Sequence, residues 1–135
     1  MNIGVTKETN NIYNTPSCIS IDKYGDLWVS MYTSQIIAKL DSNMNLLLTA
    51  CPTGVTDLTA MFDGSFYVEP PAIETDQNNN VWVCYGHPLS SMLVKFDTQG
   101  NEILKADLPM NSVPTCIAVD AAADIWIACR ETNEI

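Results

Sequence analysis

Apolar residues alternate with polar or small ones in short runs along this chain, and the runs recur in a fixed order. In the stretch from Cys18 to Asp22 the isoleucines Ile19 and Ile21 occupy every second position, and Leu27 to Tyr32 alternates again after Lys23, Tyr24, Gly25 and Asp26. A period of two places successive side chains on opposite faces of an extended strand, so the two runs and the residues between them predict a β-hairpin. Gly25 suits the turn, because a residue without Cβ takes positive φ at no steric cost. Ile36 to Asp41 reads as a third strand, Ser42 to Asn45 as a second turn and Leu46 to Thr49 as a fourth strand. Four strands joined by such short turns predict an antiparallel meander.

The same order returns twice. Pro16, Pro71 and Pro114 each lead a short run ending in Asp22, Asp76 or Asp120, and a tryptophan follows at Trp28, Trp82 or Trp126. In the second unit Ala72 to Thr75 precedes an asparagine-rich turn at Asp76 to Asn80; Val81 to Tyr85, Met92 to Asp97 and Glu102 to Leu108 supply the remaining strands. Lys39-Leu40-Asp41 is matched by Lys95-Phe96-Asp97. The third unit offers Thr115 to Asp120, an alanine-rich turn with Asp124, and Ile125 to Cys129, and Glu131 to Ile135 falls where a third strand is expected. Such self-similarity means that one supersecondary unit has been copied and stacked, and units of this length match the four-stranded blades of β-propellers. The expected fold is therefore all-β, a partial β-propeller of about two and a half four-stranded antiparallel blades.

The organisation read from these repeats is an N-terminal strand and connector over 1–15, a first blade over 16–49, an insertion over 50–70, a second blade over 71–109, and the first half of a third blade over 110–135. Asn2 to Val5 is the strand candidate in the connector, placed to help close a ring. Within the insertion, Leu58 to Phe62 and Ser65 to Val68 flank Asp63-Gly64, a strong hairpin signal.

Charge narrows the partners. The chain carries 16 acidic against 6 basic residues, a formal charge of -10, so its field repels phosphate backbones and attracts cations and basic partners. Direct nucleic-acid binding is not expected. No apolar run approaches the roughly 20 residues of a membrane-spanning helix, and Met1 to Lys7 lacks the apolar core of a signal peptide. The expected location is the cytoplasm or a virion, with no membrane partner. The five cysteines include no Cys-x-x-Cys pair and sit mostly at strand positions; they read as small buried thiols in a reducing compartment rather than as disulfides or metal ligands.

Strand parity locates a candidate ligand-binding face. Loops joining second to third strands share one end of the units, which collects Tyr32 to Gln35, Gly86 to Ser91 and Arg130 to Asn133. Tyr32, Tyr85, His87 and Arg130 are the residues nominated there. His87 is the one histidine, the side chain whose ordinary pKa suits proton transfer near neutrality, yet no Asp or Glu lies close to it in sequence. It is a weak catalytic candidate, and a surface histidine without catalytic duty is the plainer reading. No nucleophile elbow, phosphate-cradling glycine loop or zinc spacing is present, so no metal site is assigned. The aspartates that end each first strand read as caps of their own turns rather than as calcium ligands, which need several oxygens converging on one point.

The run Pro16-x-x-Ile19-x-x-Asp22-x-x-Gly25-x-Leu27-Trp28-Val29, followed by Ile37-x-Lys39-Leu40-Asp41, resembles the NHL-type repeats shared with streptogramin (virginiamycin B) lyase-like β-propellers. The likeness covers most of residues 16–135. It implies that Ile19, Ile21, Leu27, Val29 and their counterparts pack between blades and that each tryptophan covers an inter-blade layer. It leaves function open, because this class of propellers includes lyases, hydrolases, protein-binding and nucleic-acid-binding modules. One expectation is a non-catalytic interaction or structural module without cofactor, the N-terminal part of a longer chain or a component of a large assembly such as a virus or phage particle. Its partners would be a protein, the missing blades of the same propeller, or further copies in a homo-oligomeric ring. The alternative is part of a metal-dependent streptogramin-lyase-like or hydrolase enzyme that uses an acid-base histidine and a divalent metal such as Mg or Ca, with its remaining residues outside this chain.

Overall fold

The computed structural model describes residues 16–31, 36–53, 69–86 and 91–130, and these form three antiparallel sheets without helices. The first sheet runs β1 (Pro16–Ile21), β2 (Leu27–Met31), β3 (Ile37–Leu40) and β4 (Leu46–Ala50) in spatial order. The second repeats it with β5 (Glu69–Thr75), β6 (Val81–Gly86), β7 (Met92–Phe96) and β8 (Glu102–Asp107). The third consists of β9 (Pro114–Val119) and β10 (Ile125–Cys129). Each meander strand pairs with its sequence neighbour, as the turn lengths require. The N-terminal strand candidate Asn2 to Val5 and the hairpin around Asp63-Gly64 lie outside the described residues.

One turn is used five times. An aspartate at the end of a strand accepts two backbone N–H groups through Oδ1, from the residues two and four positions on. Asp22 does so at 2.9 and 3.0 Å, Asp76 at 2.9 and 2.9 Å, and Asp120 at 2.8 and 3.0 Å. Asp41 and Asp97 make the same pair of bonds between third and fourth strands. The residue before the last of each turn has positive φ: Gly25 and Gly100 at 85° and 81°, and Met44, Asn79 and Ala123 at 67°, 62° and 67°. A tight turn followed by a left-handed residue fits the twist of the strands it joins. Turn capping by the first-strand aspartates is thus as the sequence implies, and Asp41 and Asp97 extend it.

Register then fixes which side chains share a face. On the first sheet Ser20, Trp28, Lys39 and Leu48 lie opposite one another on successive strands, as do Cys18, Ser30, Ile37 and Ala50. This tryptophan face packs on the second sheet, where Ile73, Val81, Val83, Tyr85, Val94 and Phe96 complete one buried cluster with Trp28 and Ile37. The opposite face of the second sheet carries Ala72, Cys84, Trp82 and Leu93 and packs on Ile117, Ile125 and Ile127 of the third. The tryptophan faces of the first and second sheets therefore each meet the isoleucine and valine face of the next sheet. Polar contacts tie the same neighbours: the Ser20 and Thr75 hydroxyls are 3.0 Å apart, Lys23 N–H donates to Asn79 Oδ1 at 3.1 Å, and Gln77 Nε2 donates to the Ala121 carbonyl at 3.1 Å.

Two packing expectations need correction. Ile19 and Ile21 are 51% and 62% exposed, whereas Ile73 and Ile117, at the position of Ile19 in the later units, are 3% and 5% exposed. The strand pattern is the same; what differs is that β5 and β9 each have a preceding sheet to pack on. Nor does every tryptophan cover an inter-sheet layer, since Trp126 is 52% exposed while Trp28 is fully buried. The cysteines also divide: Cys84 is buried, but Cys51 and Cys116 are exposed. Among the described residues no helix is long and apolar enough to cross a membrane.

Candidate functional site

Among the described residues two sets of polar contacts lie at opposite ends of the sheets. At the end formed by the hairpin turns, each unit assembles an aspartate, a tryptophan and, in the first two, a lysine. The turn aspartate is aimed by its own Oδ1 bonds, which leaves Oδ2 pointing along the sheet toward the tryptophan on the second strand. Asp76 Oδ2 accepts from Trp82 Nε1 at 3.2 Å and Asn80 Nδ2 at 3.1 Å, and Lys95 Nζ lies 3.1 Å away. Lys95 stands opposite Trp82 on β7, with Nζ 4.6 Å from the ring centroid, so the cation meets both a carboxylate and an aromatic face. Burial works to raise the Asp76 carboxyl, but the donors from Asn80, Lys95 and Trp82 outweigh it and hold the group below the ordinary carboxylate range.

The first unit varies the theme. Its fifth turn residue is Asp26 rather than an asparagine, and Lys39 bridges Asp22 Oδ2 at 3.2 Å and Asp26 Oδ2 at 3.0 Å. Lys39 lies over Trp28 at 5.3 Å and is almost fully buried. Burial alone would lower the Lys39 pKa; the hydrogen bonds to Asp26 and Asp22 raise it instead. With the lysine drawn between two carboxylates, Trp28 Nε1 is a buried donor without a hydrogen bond, unlike its counterparts. In the third unit Trp126 Nε1 donates to Asp120 Oδ2 at 3.0 Å and holds that carboxyl low, and no lysine among the described residues completes the set.

At the other end lie the nominated residues. Tyr32 and His87 fall outside the described residues. Tyr85 is placed in the core between the first two sheets at 1% exposure, and burial pushes its phenol far above the ordinary value. Its parity on β6 turns it toward the first sheet with Val81 and Val83. Arg130 is exposed, and its backbone N–H donates to the Val113 carbonyl at 3.0 Å, which anchors the end of β10. Beside it Ser91 Oγ donates to the Ser112 carbonyl, Ser112 Oγ donates to the Pro109 carbonyl at 2.6 Å, and Leu108 N–H donates to the Ser91 carbonyl at 2.9 Å. This clasp of buried serines joins the loops on either side of β7 and β8. The structure thus brings Arg130 and the serine clasp to one end but seats Tyr85 inside.

The lysine clusters are the feature that sequence reading passed over. The match between Lys39-Leu40-Asp41 and Lys95-Phe96-Asp97 was the available signal, and strand register was the missing step, because it sets each lysine opposite its tryptophan. Chemically these clusters hold carboxylates as anions and lysines as cations, an arrangement suited to fixing strands rather than moving protons. Among the described residues no three His, Cys, Asp or Glu side chains gather as a metal site requires. Burial pushes the Cys84 thiol up to about 12, with the nearby Cys129 and Cys116 adding to the effect, which leaves it inert as a nucleophile.

No protein-family model matches the sequence, and no curated protein matches it. Solved structures do. A selenomethionine-substituted virginiamycin B lyase from Staphylococcus aureus superposes with a TM-score of 0.68 at 17% identity, over 93% of this chain and 38% of that one. A catalytically inactive histidine-to-alanine variant of virginiamycin B lyase from the same organism, in complex with quinupristin, gives 0.66 at 18% identity, over 89% and 36%. A protein of unknown function from Bacteroides caccae gives 0.52 at 11% identity, over 88% and 54%. The chain thus spans well under half the length of the two lyase chains. Its three stacked sheets are blades of a β-propeller similar in fold to virginiamycin B lyase.

Proposed function

We propose that this chain is a non-catalytic interaction and structural module, part of a propeller that is completed by further sheets or by a protein partner within a larger assembly such as a virus or phage particle. The observation that carries the reading is the third sheet. Its tryptophan face, with Trp126, Cys116 and Ala118 exposed, is the same face that is covered in the first two units. A face built for packing and left open is an interaction surface. The well-formed polar clusters all serve strand and turn geometry, and the acidic field favours a basic partner.

Light scattering on the 135-residue chain tests this, together with binding of a dye that reports exposed apolar surface. The chain is expected to associate and to bind dye, and Trp126→Asp to reduce both with its strand circular dichroism unchanged. A monodisperse monomer that binds no dye would refute the reading.

The likeness to virginiamycin B lyase over nearly the whole chain favours a second reading, a fragment of a metal-dependent lyase-like ring with His87 as its acid-base group. The described residues do not assemble donors for Mg or Ca, so no catalytic step is drawn through a metal. Ring opening of quinupristin by the ring completed with its further sheets and added Mg, followed by mass spectrometry and lost in His87→Ala, would establish it in place of the first.

A further inference from the structure

The seam between the first two sheets holds buried donors that the repeat pattern does not satisfy. In the second and third units the indole N–H of Trp82 and Trp126 reaches its turn aspartate directly, at 3.2 and 3.0 Å. In the first unit Asp26 stands where Asn80 stands in the second, and Lys39 is drawn between Asp22 Oδ2 and Asp26 Oδ2 at 3.2 and 3.0 Å. Trp28 is 0% exposed, and its Nε1 donates to no protein group. Across the seam Asn79, 2% exposed, presents a second such donor at Nδ2. Its Oδ1 accepts the N–H of Lys23, the residue after Asp22, at 3.1 Å. That bond fixes which end of the amide is nitrogen and leaves Nδ2, on the same carbon, beside the same turn. The third member is Asp22 Oδ2, which is buried and ion-paired with Lys39 but accepts no hydrogen bond of good geometry.

We infer that this seam binds one internal water molecule, which accepts hydrogen bonds from Trp28 Nε1 and Asn79 Nδ2 and donates one to Asp22 Oδ2. Leaving a buried N–H without an acceptor costs the full desolvation of that group, and two such donors beside one carboxylate oxygen make a polar site of the kind that holds buried water. Charge selects the occupant. Asp22, Asp26 and Lys39 sum to one negative charge, which disfavours an anion, and two N–H donors turned to the site disfavour a cation. Water is neutral, accepts and donates at once, and typically makes about three hydrogen bonds when buried. The site belongs to the first unit because Asp26 draws Lys39 between two carboxylates, and the second seam lacks it because Ala123, at the position of Asn79, carries no amide. Bound there, the water ties the tryptophan strand of the first sheet to the β5–β6 turn of the second, alongside the Ser20 and Thr75 hydroxyls. The site is independent of the open face of the third sheet.

Water cross-relaxation in nuclear magnetic resonance tests this on the isotopically labelled 135-residue chain. Expected are cross-peaks with the sign of a long-lived water at both the Trp28 indole N–H and the Asn79 side-chain amide, and none of that sign at the Trp82 indole, which is bonded to Asp76. Asn79→Gly keeps the left-handed turn and removes one donor, so the residence time of the water, read from the field dependence of water relaxation, should fall about tenfold. Asp26→Asn restores the side chain of the second unit; the Trp28 indole should then lose its water cross-peak and move toward the resonance of the Trp82 indole. Absence of long-lived water at the Trp28 indole in the unaltered chain would overturn the inference. So would an unchanged residence time in Asn79→Gly, or a water cross-peak that persists in Asp26→Asn. Displacement of the water signals by added bromide would make the occupant an anion, against the inference.

Discussion

The first and third tryptophan clusters are built from the same parts and live in opposite surroundings. In both, an aspartate caps its turn through two amides at nearly the same distances, a left-handed residue follows, and a tryptophan stands on the next strand. Trp28 is sealed between two sheets, and Trp126 is half open. Turn geometry is thus complete in either setting, because its hydrogen bonds close within five residues. Burial of the indole is not local at all; it is conferred by the next sheet. The largest expected effect follows directly. Trp28→Ala should cost about 3–5 kcal/mol, the usual loss for a large buried aromatic side chain, and Trp126→Ala less than about 1 kcal/mol. Urea denaturation followed by far-ultraviolet circular dichroism measures both. Equal losses would mean that the two clusters are not distinguished by packing.

A second contrast lies between the lysines. Lys39 is buried between two carboxylates, and Lys95 faces one and is more exposed. Lys39→Met leaves Asp22 and Asp26 buried or half-buried without their cation and should cost about 3 kcal/mol. Lys95→Met should cost roughly half of that, since only one carboxylate loses its cation and the lysine itself is more open to water. The pH profile sharpens the comparison. The folded pKa values of Asp22 and Asp76 lie below the ordinary 3.8, so their stabilisation is present above that value and is lost as pH falls through the lower folded values. Lys39 is raised above 10.5, so its contribution is complete below 10.5 and fades as pH rises past its folded value. Cys84 begins the alkaline loss earlier, because the unfolded chain ionises it near 9.0 and the folded chain keeps it neutral to about 12. Cys84→Ala should therefore move the onset of alkaline destabilisation upward from about pH 9, as read by thermal melts across pH; an unmoved onset would show that burial does not govern that thiol.

These contrasts also explain what the sequence disclosed. Strand alternation and the Asp-to-Gly25 turn are statements about neighbours in the chain, and the structure agrees with them for the strands among the described residues. Ile19 and Ile73 share one local pattern yet differ from exposed to buried, since their fate is decided by a sheet that a strand pattern does not describe. The lysine clusters were half visible as a repeated Lys-x-Asp string, but only the register of β2 with β3 and of β6 with β7 shows what each lysine meets. Loop parity brought Tyr85 to the right end of its strand without telling which face its ring takes, and its register with Met92 turns it inward.

The smallest effect isolates a local conflict that the repeats contain at Ala123 and again at Met44. The left-handed position of the turn is glycine at Gly25 and alanine at Ala123, although φ is 85° and 67° respectively. A Cβ in this region costs roughly 1–2 kcal/mol, and glycine gives back part of that advantage through the larger entropy of its unfolded chain, about 0.4–1 kcal/mol. Ala123→Gly should therefore stabilise the protein by about 0.5 kcal/mol, within reach of paired urea titrations. Gly25→Ala should cost a similar amount, since a Cβ there meets nothing within 4 Å and backbone strain is the whole of the penalty. Gly100→Ala in the equivalent turn should cost more, because the added Cβ would lie 3.0 Å from Leu48 Cδ1 and 3.1 Å from Ala50 Cβ, where the first two sheets meet. If Gly25→Ala and Gly100→Ala lose the same stability, the turns are independent of the packing around them. A larger loss at Gly100 means that even this local unit is coupled to the sheet beside it.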